Sequence, residues 1–155
     1  FGGGASSTTR ATLGIRAPMA SAIADVAGAR SDYLDESGGR YVHVIADGGL
    51  GTSGDLIKAV ACGADAVMLG SALARATDAP GAGWHWGQEA HHDDLPRGTR
   101  VHVGGVAPLA EIVNGPAHVA DGTANLIGAL RRAMATTGYS ELKEFQRVDI
   151  VHAQR

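Results

Sequence analysis

Two short apolar runs organise the middle of the chain: residues 41–46 (YVHVIA) and residues 65–70 (DAVMLG). The first is rich in β-branched residues, the second is apolar between Asp65 and Gly70, and neither shows the strict alternation of a half-exposed strand, so each predicts a buried strand. Each run ends in small and polar residues, Asp47-Gly48-Gly49 after the first and Gly70-Ser71 at the end of the second. Helical periodicity surrounds them. Met19, Ile23, Val26 and Ala27 recur at helical spacing behind Pro18 and predict a helix over about 18–30. The polar stretch 31–40 then reads as a connection. Ser53 caps a predicted helix over about 54–61 that Gly63 ends, and a short helix over about 71–77 stops before Pro80. Strand, helix, strand, helix with short joints is the rhythm of parallel strands linked by right-handed crossovers, found in doubly wound sheets and in (β/α)8 barrels.

The rhythm breaks over residues 81–100, a long stretch rich in Gly, His and Trp with no clear period, as lids often are. Residues 100–106 (RVHVGGV) predict a short strand, residues 109–113 and 123–136 predict helices, and residues 147–153 (RVDIVHA) suggest a final strand. In the longer helix Leu126, Ile127, Leu130 and Met134 form an apolar face opposed by Arg131 and Arg132.

Composition narrows the function classes. The 155 residues suffice for one domain with a real core. A net charge of -3 and the absence of a Lys/Arg-rich run argue against nucleic acid as a partner. No apolar run nears the roughly 20 residues of a membrane span, and the opening FGGGASSTTR has no apolar signal core. The one cysteine, Cys62, excludes an internal disulfide and fits a reducing cytoplasm. Glycine, at 23 of 155 residues, is far above its usual share and gathers at the ends of apolar runs, where backbone turns tightly or approaches a ligand. The chain opens inside a Gly-rich loop without an initiator Met and is read as the back part of a longer protein.

The carboxyl ends of parallel strands open onto one face, where ligands bind in barrels and open sheets alike. Asp47 there can cap the following turn or accept hydrogen bonds from the vicinal diol of a ribose. Gly48 and Gly49 let backbone N–H groups face an anion, and Gly70-Ser71 opens a short helix that can seat a phosphate. The two strand ends together predict a site for a sugar phosphate, most simply a nucleotide.

The motif ADGGLGTSGDLIKAVACGADAVMLGS over residues 46–71 resembles the signature of the IMP dehydrogenase/GMP reductase family. GGGASSTTR over residues 2–10 is similar to that family's catalytic loop. WHWG, LPRGTRVHVGG and the stretch from GTANLIG to about Val151 resemble the IMP dehydrogenase-related branch of actinobacteria and cyanobacteria that lacks CBS domains. The resemblance implies a (β/α)8 barrel, of which residues 1–155 would be the C-terminal half: the catalytic loop after strand 6, strands 7 and 8, a lid at about 81–104, and C-terminal helices. It implies purine-nucleotide oxidoreduction, IMP to XMP with NAD or GMP to IMP with NADPH, in a cytoplasmic homotetramer. Residue by residue, it places Asp47 on the ribose hydroxyls and Gly49, Gly70 and Ser71 on the 5′-phosphate. Gly87, Gln88 and Glu89 would lie by the base. His85 stands at a phosphate-side tyrosine of relatives. Thr9 and Arg97 take catalytic positions, and Gly2 and Gly4 the turn that holds a monovalent cation.

One departure bears directly on the chemistry. The family's nucleophilic cysteine falls at Ser7, and a serine hydroxyl is far less acidic than the thiol whose thiolate attacks the purine. Impaired turnover is therefore expected, with a non-catalytic nucleotide-binding fragment as the alternative. Cys62 lies in a helical segment and reads as a small buried thiol rather than a substitute nucleophile. Ala5 and Gln88 also replace a serine and a methionine of many relatives. His91, His92, Asp93 and Asp94 can be a solvated loop or metal ligands, Trp84 and Trp86 can pack the lid or stack on a base, and Arg100 can be an anion contact or a surface charge. Arg10 reads as ordering its own loop, and Glu141, Lys143 and Glu144 read as a solvated helix face. FMN-dependent 2-hydroxyacid oxidases share the Asp-Gly-Gly turn but usually end the next strand in Gly-Arg, where this chain has Gly70-Ser71.

Overall fold

The computed structural model describes residue 14 and residues 16–85 and 101–151. Helix α1 (Met19–Glu36) leads to strand β1 (Ile45–Asp47), helix α2 (Ser53–Ala61), strand β2 (Ala66–Met68) and helix α3 (Ser71–Ala74). Strands β3 (Trp84–His85) and β4 (Val101–His102) follow, then helices α4 (Leu109–Asn114), α5 (Leu126–Thr137) and α6 (Leu142–Phe145). The fold is mixed α/β. β1 and β2 pair in parallel, Ile45 with Ala66, Ala46 with Val67 and Asp47 with Met68, and α2 is the crossover between them. β3 and β4 pair antiparallel. Among the described residues, no helix is long and apolar enough to cross a membrane.

α1 outruns its predicted end at Arg30 and takes in six residues of the polar stretch that reads as a connection. Residues 31–36 contain neither Gly nor Pro, and their polar side chains suit the solvent side of a helix. The stop comes at Gly38 and Gly39, with φ of 68° and 104°, where the Gly39 N–H closes back on the Leu34 carbonyl at 2.8 Å.

The strands are shorter than predicted for a related reason. Residues 41–44 stay outside the ladder because Asp65 engages Val44 first. Its carboxylate accepts from the Val44 N–H at 2.8 Å, and its own N–H donates to the Val44 carbonyl at 2.8 Å. At α2 the cap is Thr52, not Ser53: the Thr52 hydroxyl accepts from the Asp55 N–H at 3.3 Å. The Ser53 N–H instead donates to the Gly122 carbonyl at 2.8 Å, which ties the 115–125 loop to the start of α2. The longer C-terminal helix begins at Leu126 rather than Thr123, behind Asn125 in a left-handed conformation with φ 56°.

The final strand expected over 147–153 is absent from its described part, residues 147–151. Val148 closes the turn after α6 by donating to the Phe145 carbonyl at 3.1 Å and packs on the core, while Val151 is 88% exposed. A strand requires a neighbouring backbone, and this segment follows a helix surface instead.

α2 lies between two apolar clusters. Leu56 and Val60 face Ile112, Leu126 and Phe145, while Ala59 faces Ile23, Ala46, Leu50 and Ala64. Burying each of the larger side chains contributes about 1.5–3 kcal/mol. The opposite face of the two strands carries Ile45 at 58% exposure and Met68 at 55%.

Candidate functional site at the strand ends

The parallel register sets the carboxyl ends of β1 and β2 side by side. Asp47, the last residue of β1, is paired in register with Met68, the last of β2, and is exposed. Gly48 and Gly49 follow with φ of 111° and 71°, a left-handed turn that a side chain would strain, and buried Leu50 anchors its far end. β2 runs through Leu69 to Gly70, whose carbonyl accepts from Leu73 and Ala74, both at 3.0 Å, to start α3.

Ser71 and His85 meet here. The Ser71 Oγ lies 3.2 Å from the His85 Nδ1, so the first residue of α3 is tied to the first strand of the β3–β4 hairpin. A Cβ at Gly70 would stand 3.1 Å from the His85 Cε1 and 3.2 Å from its Nε2. Glycine at 70 therefore lets the imidazole lie against the backbone of the strand end. The hairpin itself is held by Trp84, whose ring packs on His102 at a centroid distance of 4.8 Å. The Val106 N–H donating to the Arg75 carbonyl and the Thr77 N–H to the Ala107 carbonyl, at 2.9 and 3.0 Å, dock the returning segment on the end of α3.

The structure thus groups the predicted residues Asp47 and Gly49 at one strand end and Gly70, Ser71 and His85 at the adjacent one. Gly2, Gly4, Ser7, Thr9, Gly87, Gln88 and Arg97 lie outside the described residues, as do Trp86 and residues 91–94. Cys62 is half-buried at the end of α2, and burial pushes its thiol up from the usual range, which disfavours the thiolate.

The chief polar cluster lies at the opposite, amino ends of the strands, and the sequence reading missed it. Asp65, its side chain 7% exposed, accepts from Arg30 Nη1 at 2.8 Å, from Tyr41 OH at 2.7 Å and from Gln146 Nε2 at 3.2 Å. Lys143 also pairs with it, so this residue of the solvated helix face, its side chain 56% exposed, carries an ion pair that the sequence reading did not foresee. Burial alone would push the Asp65 carboxyl up. The hydrogen bonds from Lys143, Tyr41, the Val44 N–H and Gln146 outweigh it and hold the group well below the usual carboxylate range. The one signal in the sequence was a carboxylate opening an otherwise buried strand, which demands partners.

The IMP dehydrogenase / GMP reductase domain family matches residues 1–92. An uncharacterized oxidoreductase of Mycobacterium tuberculosis is 57% identical over 145 residues, which cover 92% of this chain and 39% of that protein. An inosine-5′-monophosphate dehydrogenase of Methanocaldococcus jannaschii is 34% identical over 170 residues, covering 94% of this chain and 33% of the relative. The crystal structure of an IMP dehydrogenase/GMP reductase-like protein from Corynebacterium glutamicum superposes with a TM-score of 0.82 at 52% identity, over 90% of this chain and 38% of the other. The chain therefore spans about two fifths of the length of the Mycobacterium tuberculosis and Corynebacterium glutamicum relatives. By motif, by sequence over nearly its whole length and by fold, the chain belongs to the IMP dehydrogenase/GMP reductase family.

Proposed function

We propose that this chain is the C-terminal half of a (β/α)8 barrel that binds a purine nucleotide at the carboxyl ends of β1 and β2, in a protein of IMP/GMP oxidoreductase type. One observation carries the reading: the parallel register places the Asp47-Gly48-Gly49 turn beside the Gly70-Ser71 turn, with His85 on Ser71. A carboxylate suits a ribose diol, and the turn opening α3 with an imidazole beside it suits a phosphate. One such combination spans a 5′-nucleotide. The exposed alternate positions Ile45 and Met68 support the half-barrel, because in a closed barrel they would face its packed interior.

Ser7 at the nucleophile position leaves the loop without a thiolate, so the chain binds nucleotide but forms the covalent purine adduct poorly. NAD(P) is the hydride partner of the family's reaction. The turn at Gly70-Ser71 is read as one phosphate seat and is assigned to the purine substrate. The nicotinamide cofactor is thus assigned to the family chemistry, and no step through it is derived from these residues. A monovalent cation at Gly2 and Gly4 and a tetrameric assembly belong to the same proposal.

A thermal-shift titration with IMP, GMP and FMN tests the reading. IMP or GMP raises the midpoint and FMN does not, because only ligand bound to the folded state stabilises it. Asp47→Ala weakens IMP binding about 10- to 100-fold, the loss of hydrogen bonds to a charged acceptor. A rise with FMN alone, or an Asp47→Ala chain that binds IMP as well as the parent, overturns the assignment.

A further inference from the structure

The amino-end cluster around Asp65 borders a cavity of about 410 Å³ between the second half of α1, the end of α2 and α6. Arg30, Lys143 and Arg147 line it, together with Ser31, Tyr41 and Gln146, and no carboxylate is among its lining residues. That is three cations around one hollow in a chain whose net charge is -3. Asp65 sits behind the wall, shielded by its donors, and its single charge is divided between Arg30 and Lys143. The carbonyls at the end of α2 contribute some negative potential, but they are already occupied: Gly63 accepts from Arg30 at 3.1 Å and Ala64 from Gln146 at 2.8 Å. The balance at the cavity stays positive.

The arrangement is also preorganised. Arg30 is fixed by Asp65 and the Gly63 carbonyl, and its guanidinium stands 5.2 Å from the centre of the Tyr41 ring. Lys143 stands 4.2 Å from the centre of the same ring and also donates to the Tyr41 hydroxyl. Two of the three cations are thereby held in place before any ligand arrives, which lowers the ordering cost of binding. Ser31 lines the α1 side of the hollow, its hydroxyl donating to the Ala27 carbonyl at 3.1 Å. A volume of this size matches a small-molecule site rather than a single bound water.

We propose that this cavity is a second ligand site, for a small multiply charged oxyanion of the phosphate class, at the end of the strands opposite the nucleotide seat. Arg147 and Lys143 meet the anion from α6 and the turn after it, Arg30 meets it from α1, and occupancy ties these two elements together. The site stands on residues separate from Asp47, Ser71 and His85, and does not depend on the nucleotide reading.

The test uses the whole chain and inorganic pyrophosphate, with potassium chloride at equal ionic strength as the control. Pyrophosphate raises the thermal midpoint above the chloride control. Arg147→Ala weakens the apparent affinity about tenfold or more, Arg147→Lys retains most of it, and Ser71→Ala leaves it unchanged. Arg147 is exposed and makes no contact with Asp65 among those that hold the cluster, so its replacement leaves the fold intact. No rise over chloride overturns the proposal. So does a rise that survives Arg147→Ala, or one that is lost in Ser71→Ala, which would place the anion at the strand-end seat instead.

Discussion

At the scale of single residues, two aspartates of similar sequence setting have opposite work. Asp47 ends a strand and is exposed, whereas Asp65 precedes a strand, is almost wholly covered and joins α1, the segment before β1, and α6. Asp65→Asn keeps the shape and removes the charge, leaving Arg30 and Lys143 facing each other. The expected cost is about 2–3 kcal/mol, below the ~3–5 kcal/mol of a fully buried pair because the Lys143 side chain remains 56% exposed. Urea unfolding of the two proteins measures it. The pH dependence has a definite sign. The folded-state carboxyl titrates below the unfolded one, so its contribution is fully present at neutral pH and is lost as pH falls below about 4 toward the folded value. The wild-type chain therefore loses stability on acidification more steeply than Asp65→Asn, and equal slopes would refute this role. Asp47 was legible in the sequence because a carboxylate at a strand's end needs only the strand to be recognised. Asp65 was not, because its partners Arg30 and Lys143 lie 35 and 78 positions away.

Elements were legible in kind and order more than in extent. The order of α1, β1, α2, β2 and α3 follows from the apolar runs and their glycines, whereas the ends of each element were decided by contacts. Thr52, not Ser53, caps α2 because the Ser53 N–H is drawn to Gly122, some seventy positions later in the chain. Thr52→Ala should cost about 1 kcal/mol and Thr52→Ser only a few tenths, while Ser53→Ala leaves the cap in place. Gly63 ends α2 as its identity suggested, but its packing adds a second demand. Its φ is 111°, and a Cβ there would lie 2.6 Å from the Ala27 Cβ on α1. Gly63→Ala combines backbone strain with an overlap and destabilises by about 2–3 kcal/mol, read as a fall in the urea midpoint with an unchanged slope. A cost below 1 kcal/mol would show that α1 and α2 can separate freely.

At the scale of the molecule, the two-stranded parallel sheet is covered on one face and open on the other. Ala46 is buried against Ile23 of α1 and Ala59 of α2, while the alternate positions Ile45 and Met68 are more than half exposed. Such a face in an isolated chain promotes self-association. Met68→Lys is expected to reduce concentration-dependent association in analytical ultracentrifugation without lowering the unfolding midpoint, because Met68 contributes little burial in this chain. An unchanged association constant would mean that another surface drives it.

The sequence by itself determined the alternation of strand and helix, the family, and the small polar residues at the carboxyl ends of two strands. Each of these follows from local pattern: apolar periodicity, glycine at positive φ, and motifs written in contiguous residues. Only the tertiary structure decided which residues meet. It set Asp47 beside the Gly70-Ser71 turn by parallel register, placed His85 on Ser71 across fourteen positions, and gathered Arg30, Tyr41, Asp65, Lys143 and Gln146 around one carboxylate. The physical reason is the same in each case. A polar or charged group in a partly covered place must find its partners in space, and spacing along the chain does not specify where the fold will bring them.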